Sequence, residues 1–174
     1  MTKALRSIVL IGFMGSGKSS VGRLLARESG WPRFDIDELI AAKSGMPIRA
    51  IFAKLGEEGF REAESSALEK IDGAQPSVIA TGGGIVLRPE NVRRLRALGR
   101  VVWLTADLDV LRQRLSRRAN RPLLQTRDPA ATIGALLAHR HKFYKDAAEF
   151  TVDTSGLDLQ QVAQAIRDEL RIAQ

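Results

Sequence analysis

The sequence IVLIGFMGSGKSS, residues 8–20, decides the fold. An apolar run typical of a buried strand leads into a glycine-rich loop, and a helix-like segment follows. Residues 12–19 match the pattern G-x-x-x-x-G-K-[ST], in which glycines allow a tight turn that points several backbone N–H groups at one anion. The following helix adds its positive N-terminal end. The stretch therefore predicts a phosphate-binding loop (P-loop) between a first strand and a first helix.

Within this loop, Lys18 is expected to reach the β- and γ-phosphates of a nucleotide, and Ser19 to offer its hydroxyl directly to Mg²⁺. The alternative is a glycine-rich turn that matches by chance. A strand before the loop, a helix after it and its early position in the chain all disfavour that alternative. The predicted nucleotide-binding residues of the loop are Gly15, Ser16, Gly17, Lys18, Ser19 and Ser20.

The bulk composition indicates one domain over residues 1–174 with an apolar content of 44 %. No apolar run approaches the roughly 20 residues that would cross a bilayer, so we expect no membrane association. The absence of cysteine and of a recognisable signal peptide fits a cytoplasmic location. The net charge of +7 would suit nucleic acid, but a single tyrosine and no aromatic–basic alternation favour anionic small molecules instead.

Short apolar runs alternate with longer amphipathic segments along the chain. Strands are predicted over 7–11, 33–36, 77–80, 100–104 and 149–152, and helices over 18–29, 37–44, 48–55, 57–71, 89–98, 107–117, 129–147 and 157–172. This alternation predicts an α/β fold with a five-stranded parallel sheet covered on both faces. Ligands of such sheets bind beyond the carboxyl ends of the strands.

The residues after the strands bear on which group accepts the phosphoryl. Motor and switch NTPases usually place an acid for Mg²⁺ at the end of another strand, whereas residues 77–80 run into Thr81 and three glycines. The best-placed acids follow the second strand, at Asp35 and Asp37. If they end a strand, they lie on the same side of it. One could face Mg²⁺ through water and the other a hydroxyl group, or Asp37 could simply cap the next helix. This arrangement favours a compact kinase.

Further polar residues form a candidate acceptor site. Arg61 near a helix start could pair with Glu57 or Glu64 on the surface, or face inward and bind a carboxylate in bidentate fashion. The glycines that follow Thr81 would expose backbone amides to a ligand, or form a flexible loop. Arg140 and Tyr144 are four residues apart and share a helix face. Arg140 could bind an anion there, or it could be a surface arginine.

An arginine cluster without acids suggests a mobile lid over residues 112–127 that closes on the nucleotide. The alternative, a solvated basic face, fits Arg117 and Arg118 well. The members of the cluster are Arg112, Arg114, Arg117, Arg118 and Arg121.

Taken in order, these motifs resemble those of the shikimate kinase family, in the nucleoside-monophosphate-kinase-like group of P-loop kinases. The ordered set is specific where the loop alone is generic: GxxGxGKS at 12–19, DxD at 35–37, GExxFRxxE at 56–64, TGGG at 81–84, RPLL at 121–124 and RxxxY at 140–144. The resemblance implies a three-layer α-β-α P-loop fold with a lid. It also implies transfer of the γ-phosphoryl of ATP to the 3-hydroxyl of shikimate, a step of aromatic amino acid biosynthesis.

The resemblance also implies residue roles. Residues 33–61 would form much of the acid-binding part, with Asp37 on the ring hydroxyls as a candidate base and Asp35 near Mg²⁺. Lys18, Asp37 and Arg121 would be catalytic, with Arg121 on the ATP phosphates and Arg114 against the adenine. The shikimate-binding residues would be Asp37, Arg61, Gly82, Gly83, Gly84 and Arg140. Some relatives place an arginine beside the adenine where residues 154–157 read TSGL, so a contact there is expected through backbone atoms.

Two other functions stay open at this stage. One is another small-acceptor kinase, for gluconate or a nucleoside monophosphate, although the TGGG segment and the two arginines favour a carboxylated polyol. The other is a nucleic-acid-binding or regulatory NTPase. No feature of the sequence marks an obligate interface, and we expect a monomer.

Overall fold

The computed structural model describes residues 6–117 and 126–171 and contains a five-stranded, all-parallel sheet in the order β2-β3-β1-β4-β5. The strands are β1 (Ser7–Ile11), β2 (Arg33–Asp35), β3 (Val78–Ala80), β4 (Gly99–Thr105) and β5 (Phe150–Asp153). The helices are α1 (Lys18–Ser29), α2 (Ile36–Ser44), α3 (Ile48–Glu69), α4 (Pro89–Leu98), α5 (Leu108–Ser116), α6 (Pro129–Ala147) and α7 (Leu159–Leu170).

The side chains of β1 show why the fold has three layers. Ile8 and Leu10 belong to one buried apolar cluster, whereas Val9 and Ile11 belong to another. Successive strand residues point to opposite faces, so an unbroken apolar strand must be covered on both. Helices α1 and α7 pack in the first cluster, and α3, α4 and α6 contribute to the second. The predicted α-β-α architecture is confirmed.

The topology places the P-loop at a switch point of the sheet. The chain leaves β1 for β2 and β3 on one side and then returns to β4 on the other. In open parallel sheets, ligands bind where the strand order reverses, beyond the carboxyl ends of the strands. The loop between β1 and α1 therefore lies where a nucleotide is expected.

The predicted elements agree with the structure to within one or two residues at their ends, apart from two local differences. The helices predicted over 48–55 and 57–71 form one element, α3, which is kinked at Gly56 (φ 70°, ψ −176°). A left-handed φ is accessible to glycine without steric cost, so the chain changes direction there and continues as helix. A short 3₁₀ turn over Ile85–Leu87 was not predicted.

Two further predictions concern the lid and the absence of a membrane-spanning segment. Of the predicted lid, residues 118–125, including Arg118 and Arg121, lie outside the described residues. In the part of the chain that is described, no helix is long and apolar enough to span a bilayer.

Candidate active site

The P-loop is held open by glycine conformations. Gly12, Gly15 and Gly17 adopt φ values of 143°, 82° and 99°, which side chains disfavour. Gly17 caps α1 with no side-chain hydrogen bond to the first helical turn. Those turn amides, together with the positive end of the helix, suit an anion. Lys18 donates to the carbonyl oxygens of Gly12 at 2.8 Å and Phe13 at 2.9 Å, so its amine lies over the loop.

A cavity of about 410 Å³ lies beside the P-loop. Arg114 forms one wall and is fixed by Thr154, because its guanidinium donates to the Thr154 hydroxyl and carbonyl oxygens at 2.9 Å each. Leu157 and Leu159 are exposed large apolar side chains that also line it. An apolar rim beside an oriented guanidinium suits an adenine ring. Arg117, for which the alternative of a solvated face fitted the sequence well, lines the same cavity.

The two acids after β2 have different positions from those expected. Asp35 is the last residue of the strand and the N-cap of α2, and its Oδ1 accepts the N–H groups of Asp37 (3.1 Å) and Glu38 (3.4 Å). Asp37 already lies in the first helical turn. The alternative that Asp37 caps this helix is therefore wrong, and the strand argument that put both acids on one side does not apply. Asp37 instead lines the acceptor pocket described below.

Two donors, one in the first turn of α1 and one at the end of β2, have the chemistry for a Mg²⁺ ion that is bound with a nucleotide. Ser19 is exposed in the first turn of α1, and the Asp35 carboxylate is buried at the end of β2. The described residues contain no group of three or more acidic or histidine side chains that could hold a metal by themselves. Mg²⁺ prefers few protein ligands, with phosphates and water completing its shell. One hydroxyl and one carboxylate satisfy that preference.

The predicted acceptor residues gather around one pocket. Asp37 comes from α2, Arg61 from α3, Arg140 from α6, and the glycines from the segment after β3. The pocket is lined by Met14, Asp37, Ile48, Phe52, Phe60, Arg61, Glu64, Gly82, Gly83, Gly84 and Arg140. Cationic, acidic and apolar side chains thus line one small concave site next to the P-loop, which contributes Met14.

Arg61 faces inward and is held between two acids. Its Nη1 donates to Glu64 Oε2 at 2.5 Å and its Nη2 to Glu57 Oε1 at 3.2 Å. Arg61 and Glu64 are buried, whereas Glu57 is exposed. The surface pairing considered from the sequence is therefore wrong for Arg61 and Glu64. Burial acts to lower the pKa of Arg61, but the charges of Glu64 and Glu57 outweigh it and raise the pKa.

Glu64 is the functional candidate that sequence reasoning missed. Burial raises its pKa, and the negative charge of Asp37 acts in the same direction, against the attraction of Arg61. Its Oε1 is buried without a hydrogen-bond partner among the described residues. The spacing of three residues indicated that Arg61 and Glu64 share a helix face, but nothing in the sequence showed that this face is buried.

Arg140 lines the pocket, and Tyr144, four residues along α6, contacts one of the pocket glycines. The Arg140 guanidinium lies 5.9 Å from the centroid of the Phe13 ring and is buried. The Tyr144 hydroxyl donates to the Gly83 carbonyl oxygen. Burial raises the pKa of Tyr144 to about 12, so the hydroxyl keeps its proton for this hydrogen bond. Tyr144 therefore fixes the peptide of Gly83, a role that the sequence did not indicate.

Two of the three pocket glycines have no space for a side chain. A β-carbon at Gly82 would overlap Glu64 Oε1, and one at Gly84 would overlap the Arg61 guanidinium. A β-carbon at Gly83 would lie 3.4 Å from the Met14 nitrogen and 3.6 Å from the Gly12 carbonyl oxygen. The TGGG segment thus packs directly against the P-loop, and the two sites share a boundary.

The parallel sheet, the P-loop with its nucleotide cavity and an adjoining polar pocket together define a P-loop kinase that acts on a small acceptor. A profile of the shikimate kinase family matches residues 14–171. The chain belongs to the shikimate kinase family.

Individual relatives agree with this assignment. The shikimate kinases of Thermodesulfovibrio yellowstonii and Moorella thermoacetica are 45 % and 46 % identical over 165 residues, covering 95 % of this chain and 95 % and 94 % of theirs. The solved structure of the Acinetobacter baumannii shikimate kinase in complex with shikimate is 37 % identical with a TM-score of 0.91 over 96 % of this chain and 93 % of that one. A Sinorhizobium meliloti gluconokinase, 22 % identical with a TM-score of 0.60, shares the fold.

Proposed function

We propose that this chain transfers the γ-phosphoryl group of ATP to the 3-hydroxyl of shikimate, giving shikimate 3-phosphate and ADP. The observation that carries the proposal is the close approach of Gly83 to the P-loop backbone, where a β-carbon would meet Gly12 and Met14. A pocket with two inward-facing arginines adjoins a nucleotide cradle there. A short, shared boundary is what direct transfer between two bound substrates requires.

Each side chain has a role in this reaction. Arg61 and Arg140 bind the carboxylate of the acid, and their charge offsets the repulsion between two anionic substrates. Asp37 orients the 3-hydroxyl and accepts its proton, while the amides around Gly83 position the ring. Lys18 moves from the loop carbonyls to the transferring phosphoryl, where it stabilises the developing charge.

The remaining parts concern the nucleotide. Ser19 directly and Asp35 through water would hold Mg²⁺, which would supply positive charge to neutralise the phosphates. Arg114 contacts the adenine. Arg121, which lies outside the described residues, contacts the ATP phosphates, and residues 112–127 stay the predicted lid. Residues 33–61 carry much of the acid site. The protein acts in the cytoplasm as a single-domain monomer with small-molecule substrates and without nucleic acid.

The test is an ADP-release assay with ATP and Mg²⁺ against shikimate, gluconate, nucleoside monophosphates and single-stranded RNA. We expect ADP release only with shikimate, together with a phosphorylated acid detected by mass spectrometry. ADP release with gluconate or a nucleoside monophosphate would indicate the alternative small-acceptor kinases. Phosphate release that responds to RNA and ignores every small acceptor would replace the proposal with an RNA-stimulated NTPase.

A further inference from the structure

Arg61 already has two acidic partners before any acid arrives, and these partners differ greatly in exposure. The side chain of Glu64 is 0 % exposed and that of Arg61 is 7 % exposed, whereas the side chain of Glu57 is 53 % exposed. The contact with Glu64 is also shorter, at 2.5 Å against 3.2 Å. Breaking the buried pair would leave an uncompensated charge in the interior, whereas Glu57 can exchange Arg61 for water.

The geometry of the guanidinium shows where a second carboxylate can bind. Glu64 occupies Nη1, and Glu57 makes a single contact, to Nη2. Nε has no hydrogen-bond partner among the described residues, but it is buried. Because Glu64 holds Nη1, Nη2 is the nitrogen for which an incoming carboxylate competes with Glu57. A carboxylate that also reaches Nε would form two parallel hydrogen bonds.

The kink in α3 places Glu57 in this position. Gly56 adopts its left-handed φ immediately before Glu57, so Glu57 opens the second part of the helix, four residues before Arg61. The neighbouring Glu58 instead pairs with Arg88, and neither Glu58 nor Arg88 lines the pocket. The two adjacent acids thus have different partners: Glu57 pairs with an arginine of the acceptor site, and Glu58 pairs with an arginine outside it.

We infer that Glu57 is an intramolecular competitor that occupies Arg61 in the empty pocket and is displaced by the carboxylate of the acceptor. The inference rests on the proposed function. By holding Arg61 through one hydrogen bond, Glu57 keeps the guanidinium oriented until the acceptor carboxylate replaces it. Its displacement lowers the apparent affinity for the acceptor, so Glu57 acts on substrate binding and not on the chemical step.

The test compares the steady-state kinetics of the parent enzyme with those of Glu57→Gln and the matched control Glu58→Gln. Because a partly exposed ion pair contributes modestly, Glu57→Gln should lower KM for shikimate by about two- to five-fold. The values of kcat and of KM for ATP should not change. Glu58→Gln removes the same charge one residue away and should leave all three constants as in the parent. An equal fall in KM in both variants would overturn the inference, because it would mean that removing any nearby negative charge favours binding of the acid.

A second readout uses the methyl ester of shikimate, which cannot compete for a carboxylate site. For this ester, kcat/KM should be the same in the parent and in Glu57→Gln. An unchanged or higher KM for shikimate in Glu57→Gln, or an equal gain for the ester, would overturn the inference. A parent enzyme that does not phosphorylate shikimate would instead contradict the proposed function, so the two failures are distinguishable.

Discussion

The nucleotide side of the site uses backbone atoms from one continuous stretch, whereas the acceptor side uses side chains from separate elements. The P-loop needs glycines with positive φ and a helix start, all within residues 12–19. The acceptor pocket needs α2, α3, α6 and the segment after β3 to meet. Local geometry thus determines the first site, and tertiary packing determines the second.

The two sides also differ in how they handle charge. Around the P-loop, helix and peptide dipoles provide positive potential, and Lys18 adds one cation. In the acceptor pocket, whole charges are buried: Arg61, Glu64 and Arg140. Buried charges are costly unless they are paired, so every substitution there also disturbs a neighbour. We therefore expect substitutions in the pocket to alter acid kinetics while ATP binding is retained.

Asp37→Asn is expected to have the largest effect. The amide keeps the shape of the side chain but cannot accept the proton of the hydroxyl, so kcat should fall by about 10²- to 10⁴-fold. The dissociation constant of ATP, measured by calorimetric titration, should stay within about two-fold. Normal turnover in this variant would remove Asp37 from the reaction.

Gly84→Ala contrasts with Gly17→Ala, because the two glycines are needed for different reasons. A β-carbon at Gly84 would overlap the Arg61 guanidinium, and overpacking of about 1–3 kcal/mol corresponds to a rise in KM for shikimate of about 5- to 150-fold. At Gly17 the nearest atom to a β-carbon is 3.9 Å away, but φ is 99°. Its substitution should therefore weaken ATP binding through the backbone instead.

Substrate titrations of both variants check this contrast. Gly84→Ala should change KM for shikimate and spare ATP, and Gly17→Ala should do the reverse. If both variants lose the same substrate, the separation of the two sides into packing and backbone constraints is wrong.

Arg61→Lys should raise KM for shikimate by about ten-fold, because lysine keeps the charge but loses the forked contact, and the lower end of the roughly 1.5–3 kcal/mol that a charge-assisted hydrogen bond contributes applies when the charge is retained. The KM for ATP should change much less. Initial rates at varied concentrations of each substrate measure both constants. Equal effects on the two substrates would argue against a bidentate contact between Arg61 and the acid.

The same contrast explains how much could be predicted from the sequence. Strand and helix periodicity and the P-loop were accessible, because they depend on local pattern and on the rule that ligands bind at strand ends. The grouping of Asp37, Arg61 and Arg140 was implied only by the family resemblance, since the residues alone left both arginines open between an inward and a surface position. The burial of Glu64 was not accessible, since an acid three residues from an arginine reads as a surface pair. It depends on which elements pack over that helix face.

Two smaller differences have the same origin. Asp35 and not Asp37 caps α2, because the helix starts one residue earlier than predicted, and helix boundaries are the least certain part of a sequence-based assignment. The need for glycine at position 84 was attributed to exposed amides. In the structure, the Arg61 guanidinium fills the space of a side chain there.

The smallest expected effect is on the pH dependence of stability, and it tests whether the acceptor side really holds a destabilised acid. The pKa of Glu64 in the folded protein lies above its ordinary value of 4.5, with burial as the main cause. Glu64 therefore contributes stability that is fully present below pH 4.5 and is lost as the pH rises through its folded pKa.

In Glu64→Gln this loss should disappear. Over the window above pH 4.5, the free energy of unfolding of the parent should fall more steeply with pH than that of the variant, by up to about 1.4 kcal/mol per pH unit. Urea titrations at half-unit pH steps measure both slopes, and Glu58→Gln, which removes an exposed acid, is the control. Parallel slopes for the parent and Glu64→Gln would mean that Arg61 compensates the burial of Glu64 completely. The acceptor pocket would then bury its charges without a net cost in the free energy of unfolding, and the contrast with the P-loop would not hold.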